Sequence, residues 1–311
     1  MNIKLENRYL FTAVLTMKTG LHIGGGSDVF ATDSPVIRDA YGKPFIPGSS
    51  FKGVLRSSVE KIIPNFESIS NVWSCQLFGE GKHAAKCFST NKKLQQKLAN
   101  LYSETSIKIK DSKELTTEEK EKYAANPDDI ITERFLLEQF MPDNLCSTCK
   151  IFGSPVLGSK IKIQDLLLRE SFSNSGDAEN SSDLLEVETE IRDGVAIDRD
   201  TGIAVDQAKF DYEVVPSQTE FTLQIILEDV SDQDLALFAV GISEFTQEGS
   251  AAIGGLTSRG LGACFLENIK IKFVDFSKTE HLEEYLINKN MNGELNETAF
   301  FNLIKTNLLT N

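Results

Sequence analysis

Four of the five cysteines have the side-chain chemistry and the grouping of a metal site. Cys146 and Cys149 form a CxxC pair, and Cys75 and Cys87 precede them in the chain. Four thiolates match the tetrahedral coordination of Zn²⁺, and a reducing cytoplasm disfavours disulfides between them. We therefore predict a structural zinc site, in which His83 is an alternative ligand to either upstream cysteine.

Asp33 is a candidate catalytic residue, although its spacing alone cannot establish that role. It lies in the segment TDSPVIRD at 32–39, shortly after three consecutive glycines. Asp-Ser-Pro segments commonly form turns, because the short polar side chain bonds to nearby backbone. A turn residue is therefore the alternative to a catalytic one.

Three segments have residue types that suit an anionic backbone. The glycines at 24–26 let backbone amides approach a phosphate closely, and no Gly-Lys-Ser/Thr ending makes them a P-loop. A second glycine-rich segment, 254–262, holds Arg259 among small residues, which suits contact with a phosphodiester without base reading. At 48–56, Lys52 and Arg56 lie one helical turn apart behind a predicted helix start, and helix-end amides with two cations can form an anion site. The alternatives are a flexible turn, a tight αβ connection and an exposed basic face, respectively.

Hydrophobic periodicity predicts the elements that position these residues. The predicted core elements are a strand at 9–19, a helix at 51–63 with a serine N-cap, strand-like segments at 161–163, 210–215 and 221–227, a helix at 232–247 capped by Ser231 or Asp232, and a strand at 269–273. The order strand, helix, strand, strand, helix, strand is that of the ferredoxin-like split βαβ fold. RNA-recognition modules share this fold and bind single strands on the open sheet face.

The remaining segments decorate a predicted single domain, 1–311. Residues 64–150 lose clear periodicity and contain the four grouped cysteines, so we interpret them as an inserted subdomain. Residues 171–182 are rich in Ser, Asn, Gly and Asp, which predicts a mobile loop. Residues 277–311 are predicted to form a polar, helical C-terminal extension.

Composition limits the classes of function. The net charge is −14 and the pI is about 4.8, which argues against nonspecific binding to a polyanion, since free DNA-binding domains are usually basic. Any nucleic-acid site must therefore be a local patch. The sequence lacks a run of about 18 apolar residues and a signal-peptide pattern at its start. We expect no membrane association and a cytoplasmic location.

Taken together, the motifs resemble the RAMP superfamily, specifically the repeated backbone subunit of type III CRISPR effectors of the Csm and Cmr kinds. HIGGG at 22–26 followed by DSPVIRD at 33–39 resembles the amino-terminal signature of that family. FIPGSSFKG at 45–53 resembles its helix-entry motif, and 254–262 resembles its carboxy-terminal glycine-rich loop. Residues 177–190 form an acidic stretch with six acids and no Lys or Arg. This stretch, the insertion, the cysteines and the extension resemble the larger, subtype III-D-like members.

The resemblance implies an α+β fold: a modified ferredoxin-like, RRM-like βαββαβ palm that binds guide RNA, with an inserted zinc-binding subdomain. A projecting hairpin, the thumb, would lie within a loop-and-hairpin region at 171–215 and kink the guide–target duplex. In this family the aspartate that matches Asp33 cleaves target RNA with a divalent metal such as Mg²⁺, and copies stack with other effector subunits along the guide. The RNA-contacting residues implied or suggested are His22, Gly24, Gly25, Gly26, Ser49, Lys52, Arg56, Arg192, Arg199, Gly255, Thr257, Ser258, Arg259 and Gly260.

Two other functions within this superfamily stay open from the sequence. The chain could be a noncatalytic scaffold that holds guide RNA in the same complex. It could also be a stand-alone guide-processing ribonuclease, which usually needs a general base such as histidine. The three candidate bases are then His22, His83 and His281.

Overall fold

The computed structural model describes residues 4–26, 32–75, 86–169 and 189–310. His83, the loop predicted at 171–182 and most of the acidic stretch fall outside these ranges. Within them, no helix is long and apolar enough to cross a membrane. The longest, at Gly48–Ile62, has 15 residues.

One antiparallel sheet forms the centre of the fold. The strands of the described chain are β1 Asn7–Met17, β2 Ile161–Ile163, β3 Leu167–Leu168, β4 Glu190–Ile197, β5 Ala204–Val214, β6 Glu220–Glu228, β7 Cys264–Asp275 and β8 Gly293–Leu295. The sheet has the spatial order β2-β6-β1-β7-β8, and β3 also pairs with β6. β1 buries Phe11, Ala13, Leu15 and Met17 on one side, as the alternation in the sequence predicts.

The α-helices divide between the sheet and the insertion. They are α1 Gly48–Ile62, α2 Glu67–Ser70, α3 Lys92–Ser103, α4 Thr117–Tyr123, α5 Glu133–Phe135, α6 Met141–Asp143, α7 Ser147–Phe152, α8 Asp232–Ser243, α9 Thr279–Ile287 and α10 Glu297–Ile304. Short 3₁₀ turns lie at Ile63–Asn65, Ile109–Asp111 and Thr257–Arg259, and π-helical turns at Leu136–Phe140 and Lys305–Leu309.

Two of these helices, α1 and α8, connect strands that are not neighbours in the sheet. The chain passes from β1 through α1 to β2, with β6 between the two strands, and from β6 through α8 to β7, with β1 between them. These are two split βαβ units, the connectivity that the predicted βαββαβ order requires. Both helices pack on the Phe11 side of the sheet, where Phe51 stacks on Phe245 and Phe238 meets Phe11 edge-on.

The two core helices begin differently. α8 has Ser231 as its N-cap in a capping box with Asp234, which agrees with one of the two predicted caps. The predicted serine cap of α1 is wrong, because Ser49 and Ser50 lie inside its first turn and the N-cap residue is Pro47. The Gly48 amide instead donates to Asp165 Oδ1 at 2.8 Å. A side chain 117 positions away therefore accepts one of the backbone N–H groups that have no partner within the first turn of the helix.

A separate two-stranded hairpin, β4–β5, stands apart from the main sheet. Residues 198–203 join its strands, and the strands are longer than the short apolar arms that the sequence suggested. Its exposed apolar side chains are Ile191, Val195, Ile197, Ile203 and Val205.

The insertion has its own hydrophobic cluster. Its buried members include Phe88, Leu136 and Phe140 together with the four grouped cysteines. α7 contributes to both clusters, because Cys149 lies in this one while Ile151 and Phe152 lie in the core beneath the main sheet. The predicted boundary at residue 150 therefore falls inside a helix.

The C-terminal segment differs from the predicted polar, helical extension. It contains strand β8, which pairs with β7 at the edge of the main sheet. α10 buries Phe300 against Phe11 and Phe238, and Leu308 is also buried. This segment therefore completes the main core, because β8 extends the sheet and Phe300 and Leu308 are buried in the cluster beneath it.

Candidate functional site

Asp33 is exposed and is fixed by a reciprocal pair of hydrogen bonds with β5. The Asp33 amide donates to Asp211 Oδ1 at 2.7 Å. The Asp211 amide in turn donates to Asp33 Oδ2 at 3.1 Å. Within the described residues, Asp33 Oδ1 accepts no hydrogen bond, so that oxygen is available to a ligand from solution.

The loop that carries Asp33 is held on both sides by backbone. Ser34 pairs in parallel with Tyr212 of β5, and the Glu213 amide donates to Ser34 O at 2.9 Å. On the other side, the Gly25 amide donates to Pro35 O at 3.0 Å. A Cβ on Gly25 would lie 2.9 Å from the Ile37 Cα, so only glycine fits this close approach.

His22 is buried, with 8% of its surface exposed, and its ring bonds to protein atoms. Nδ1 lies 2.7 Å from the Glu213 carbonyl oxygen, which can only accept, so Nδ1 carries a proton and donates. Nε2 lies 3.3 Å from Ser34 Oγ. The His22 carbonyl accepts the Gly255 amide at 2.8 Å. His22 therefore connects the Asp33 loop, β5 and the second glycine segment through hydrogen bonds. Because its ring is buried, it is not exposed to solvent as an RNA contact or a general base.

Glu213 is a buried acid that the sequence analysis did not identify. Its Oε2 accepts the Val36 amide at 2.8 Å, and its Oε1 accepts from Arg38 and from Thr189 Oγ1. Arg38 and Val36 belong to the Asp33 loop, while Thr189 precedes β4. One carboxylate thus connects the loop to both strands of the hairpin.

Replacing Glu213 with alanine should lower the free energy of unfolding by about 2 to 3 kcal/mol, because three donors lose a buried acceptor. Chemical denaturation of the purified chain measures this change. The matched control is Glu220→Ala, whose ion pair with Arg169 is largely exposed and should contribute less than about 1 kcal/mol. If both substitutions lowered the free energy of unfolding equally, Glu213 would not be the buried acceptor that connects the loop to the hairpin.

The same carboxylate predicts a pH dependence. Burial alone would raise the pKa of Glu213, but hydrogen bonds from Thr189, Val36 and Arg38 outweigh it and hold the pKa below the ordinary glutamate value. Such a group stabilises the fold above its unfolded pKa, and the contribution disappears as pH falls through the folded pKa. We expect the amides of 32–38 to stay protected from hydrogen exchange down to about pH 4.3 and to lose protection below it. In Glu213→Gln this step should be absent.

The second glycine segment is exposed where a ligand could reach it. Thr257, Ser258, Arg259 and Gly260 are all exposed. Gly254 has a φ of +92°, and a Cβ there would lie 2.3 Å from the His22 carbonyl oxygen, so the turn needs glycine. The segment therefore presents hydroxyls, amides and one guanidinium beside the Asp33 loop.

Arg259 also contacts the hairpin. Its guanidinium lies 5.9 Å from the centre of the Phe210 ring in β5. A cation over an aromatic face is a weak attraction that orients the side chain. The structure thus brings together three predicted regions, namely the glycines at 24–26, the Asp33 loop and the segment at 254–262.

Lys52 and Arg56, which were predicted to form an anion site with the amides at the start of α1, both bond to protein atoms. Lys52 Nζ donates to Ser159 Oγ at 2.7 Å and to the Ile161 carbonyl at 3.3 Å. Burial, followed by the nearby Arg56 charge, lowers the Lys52 pKa. Arg56 pairs with Glu60 at 2.8 Å. Both cations are therefore engaged by protein atoms.

The other predicted contacts vary in accessibility. Ser49 is exposed at the start of α1, and Gly24 and Gly26 are exposed beside the Asp33 loop. Arg192 pairs with Glu190 at 2.9 Å within β4, and Arg199 is exposed at the hairpin tip.

The four predicted cysteine ligands form a single buried cluster. Their sulfur atoms all lie within 4.8 Å of one another, and Cys75 Sγ is 3.6 Å from Cys149 Sγ. Sulfurs that share a tetrahedral Zn²⁺ with 2.3 Å bonds stand roughly 3.8 Å apart. Hydrogen bonds from Cys149 and Cys75 lower the pKa of Cys146. The donor set and its spacing fit zinc without His83.

Two further side chains touch the cluster. Ser89 Oγ lies 2.8 Å from Cys149 Sγ, and Arg56 Nη2 donates to the same sulfur at 3.5 Å. Arg56 belongs to α1, so a cation from the main core sits beside the thiol cluster. Its charge offsets the excess negative charge of four thiolates around one divalent ion.

Comparisons with known proteins agree with this arrangement. The family model for the RAMP superfamily matches residues 14–265. A protein of Methanocaldococcus jannaschii, named CRISPR system Cms endoribonuclease Csm3, is 24% identical over 99% of this chain and 95% of its own length. Proteins of the same name match shorter segments. That of Enterococcus italicus is 57% identical over 14% of this chain and 23% of its own length, and that of Streptococcus thermophilus is 44% identical over 23% and 36%.

Proposed function

Because the chain belongs to the RAMP superfamily, we propose that it is a guide-RNA-binding backbone subunit of a type III CRISPR effector complex that cleaves complementary target RNA. The observation that carries the proposal is the exposed Asp33 carboxylate, fixed by Asp211 and flanked by two glycine-rich segments. The similar proteins named Csm3 endoribonuclease support it. We propose a cytoplasmic location and assembly with other effector subunits.

Asp33 is the proposed catalytic residue. Asp33 Oδ1 is an oxygen donor of the kind that Mg²⁺ takes in nucleic-acid-cleaving sites, so the residues fit a divalent ion. Such an ion supplies charge stabilisation to the phosphate that is attacked. The Asp33 carboxylate either holds that ion or accepts the proton of the attacking ribose 2′-hydroxyl. In both roles its orientation is set by the Asp211 amide.

Guide RNA is proposed to lie across the two glycine-rich segments. Thr257, Ser258 and Arg259 can donate to phosphate oxygens, and Gly24 and Gly26 are exposed, whereas the Gly25 amide already donates to Pro35 O. These contacts hold the backbone without reading bases, as expected when pairing with the guide supplies specificity. His22, Lys52 and Arg56 are assigned supporting roles beneath this surface, because their polar atoms already bond to protein.

The hairpin β4–β5 is the proposed thumb. Its exposed apolar side chains and the exposed Arg199 at its tip suit insertion against a nucleic-acid duplex. Its root is joined to the Asp33 loop through Glu213, so the thumb and the cleavage residue keep a fixed spacing.

A structural zinc ion is proposed at the four-cysteine cluster of the insertion, Cys75, Cys87, Cys146 and Cys149. The ion would tie the two ends of the insertion to each other, because two ligands come from each end. Arg56 would supply outer charge balance from α1.

The isolated chain should bind guide RNA weakly and with steep salt dependence, because its net charge is −14 and its phosphate contacts form one patch. Arg259→Ala should weaken binding several-fold and reduce the salt slope by about 1. Fluorescence anisotropy between roughly 50 and 200 mM salt measures both. Arg134→Ala is the control, since Arg134 is exposed on the insertion. Tight, salt-insensitive binding would count against the proposed surface.

Cleavage by the reconstituted effector tests the proposal as a whole. A complex assembled on one guide is given labelled complementary RNA, or a scrambled RNA as control, in Mg²⁺ or in EDTA. We expect regularly spaced cuts only in the complementary RNA and only with Mg²⁺. Binding without cuts would identify a noncatalytic scaffold. Cleavage of repeat RNA by the chain alone would identify a guide-processing ribonuclease.

A further inference from the structure

We propose that Asp211 is the positioning residue that holds Asp33 in its cleavage-competent orientation. This inference rests on the proposed cleavage role of Asp33. Asp211 makes both halves of a reciprocal pair, in which its carboxylate accepts the Asp33 amide at 2.7 Å and its own amide donates to the Asp33 carboxylate at 3.1 Å. The first bond fixes the backbone of Asp33, and the second fixes its side chain.

Asp211 can act as a fixed reference because its strand is anchored in the core. Two residues further along β5, Glu213 is buried, and Val215 pairs with Leu21 next to it. Asp33, in contrast, is exposed and lies on a loop outside the strands and helices. A carboxylate on such a loop has several rotamers, and a displacement of about 1 Å from the reacting atoms can cost up to a hundredfold in rate.

The charges around Asp211 are mainly negative. Asp33 lies on one side, and Asp193 stands directly opposite on β4, where it pairs with Lys209 at 3.2 Å. A second carboxylate beside Asp33 could also bind the divalent ion directly. Asp211 therefore has two alternative roles, positioning of Asp33 and ligation of the metal ion. Positioning needs only a hydrogen-bond acceptor at residue 211, whereas metal ligation needs the negative charge.

Substitution at residue 211 in the reconstituted effector separates these roles. Asp211→Ala removes the acceptor, and Asp211→Asn keeps an acceptor oxygen without the charge. We expect the single-turnover cleavage rate to fall at least roughly tenfold in Asp211→Ala and to stay within about threefold of wild type in Asp211→Asn. Target affinity in EDTA should stay unchanged in both. Hydrogen exchange of 32–38 should accelerate in the alanine variant only.

The controls make failure of this inference distinct from failure of the proposed function. Asp193→Asn removes the same charge from the same hairpin without touching the Asp33 loop and should cut at the wild-type rate. Cutting by Asp33→Ala would overturn the proposed function itself. If Asp33→Ala is inactive but Asp211→Ala cuts like wild type, only the positioning role is overturned. An equal loss in Asp211→Asn and Asp211→Ala would overturn positioning and assign Asp211 as a metal ligand.

Discussion

Replacing Asp33 with alanine should abolish target RNA cleavage by the assembled effector while leaving target affinity within about twofold of wild type. The loss should be at least about a hundredfold, because the carboxylate acts on the transition state rather than on bound RNA. Binding should persist because guide pairing and the glycine-rich segments do not involve Asp33. Single-turnover cleavage with Mg²⁺, and target binding in EDTA, measure the two quantities separately.

Charge rather than shape should account for this loss. Asp33→Asn can still accept the Asp211 amide, so the loop keeps its structure, yet it should be as inactive as the alanine variant. Asp39→Asn is the matched control, since Asp39 is in the same loop region and its carboxylate accepts the amides of Tyr41 and Lys43. Regular cuts by Asp33→Asn would make Asp33 a structural residue and the chain a scaffold.

Removing the cysteine cluster should have the largest effect on stability. We expect about one zinc per chain in protein purified without chelator, and complete loss of it in the double variant Cys146→Ser, Cys149→Ser. The double variant should lose several kcal/mol more of its free energy of unfolding than an ordinary point mutant does, because apparent zinc-binding free energies in small domains reach about 10 to 16 kcal/mol. Metal analysis and thermal unfolding, each with and without chelator, measure it.

Cys264→Ala is the control for the cysteine variants. Cys264 is buried in the main core, and burial raises its pKa to about 12, so it stays a neutral thiol. Its replacement should leave the zinc content unchanged and cost about 1 kcal/mol from lost packing. A wild-type chain that is fully folded and free of metal would contradict the zinc assignment.

Periodicity in the sequence was sufficient to predict six elements of the main core, namely β1, α1, β2, β6, α8 and β7, whereas the strand-like segment predicted at 210–215 belongs largely to β5 of the separate hairpin. The alternation in β1 and the helical spacing in α1 and α8 come from burial of one side, which is a local signal. The cap of α1 was predicted wrongly because its partner, Asp165, is 117 residues away. The C-terminal strand β8 was missed because its residues, Gly293, Glu294 and Leu295, include one apolar side chain and therefore show no alternation.

The candidate site was only partly predictable. Asp33 was identified through resemblance, since its own spacing does not distinguish it from a turn residue. Asp211 was missed because its partner is 178 residues away. One local signal was available: two acids alternate with aromatic residues at 210–213, and this period places Asp211 and Glu213 on the same side of a strand. Lys52 and Arg56 were predicted to contact RNA, but Lys52 donates to the distant Ser159 and Arg56 pairs with Glu60 one turn along α1.

α7 sets a constraint on how this chain can gain or lose its insertion. One short helix places Cys149 in the cysteine cluster and Ile151 and Phe152 in the core beneath the sheet. A deletion that ends at residue 150 would cut the helix and leave its apolar half without support. The insertion is therefore not an interchangeable module. Any swap between homologous chains should carry α7 and the facing surface of α1, including Arg56, as one heritable unit.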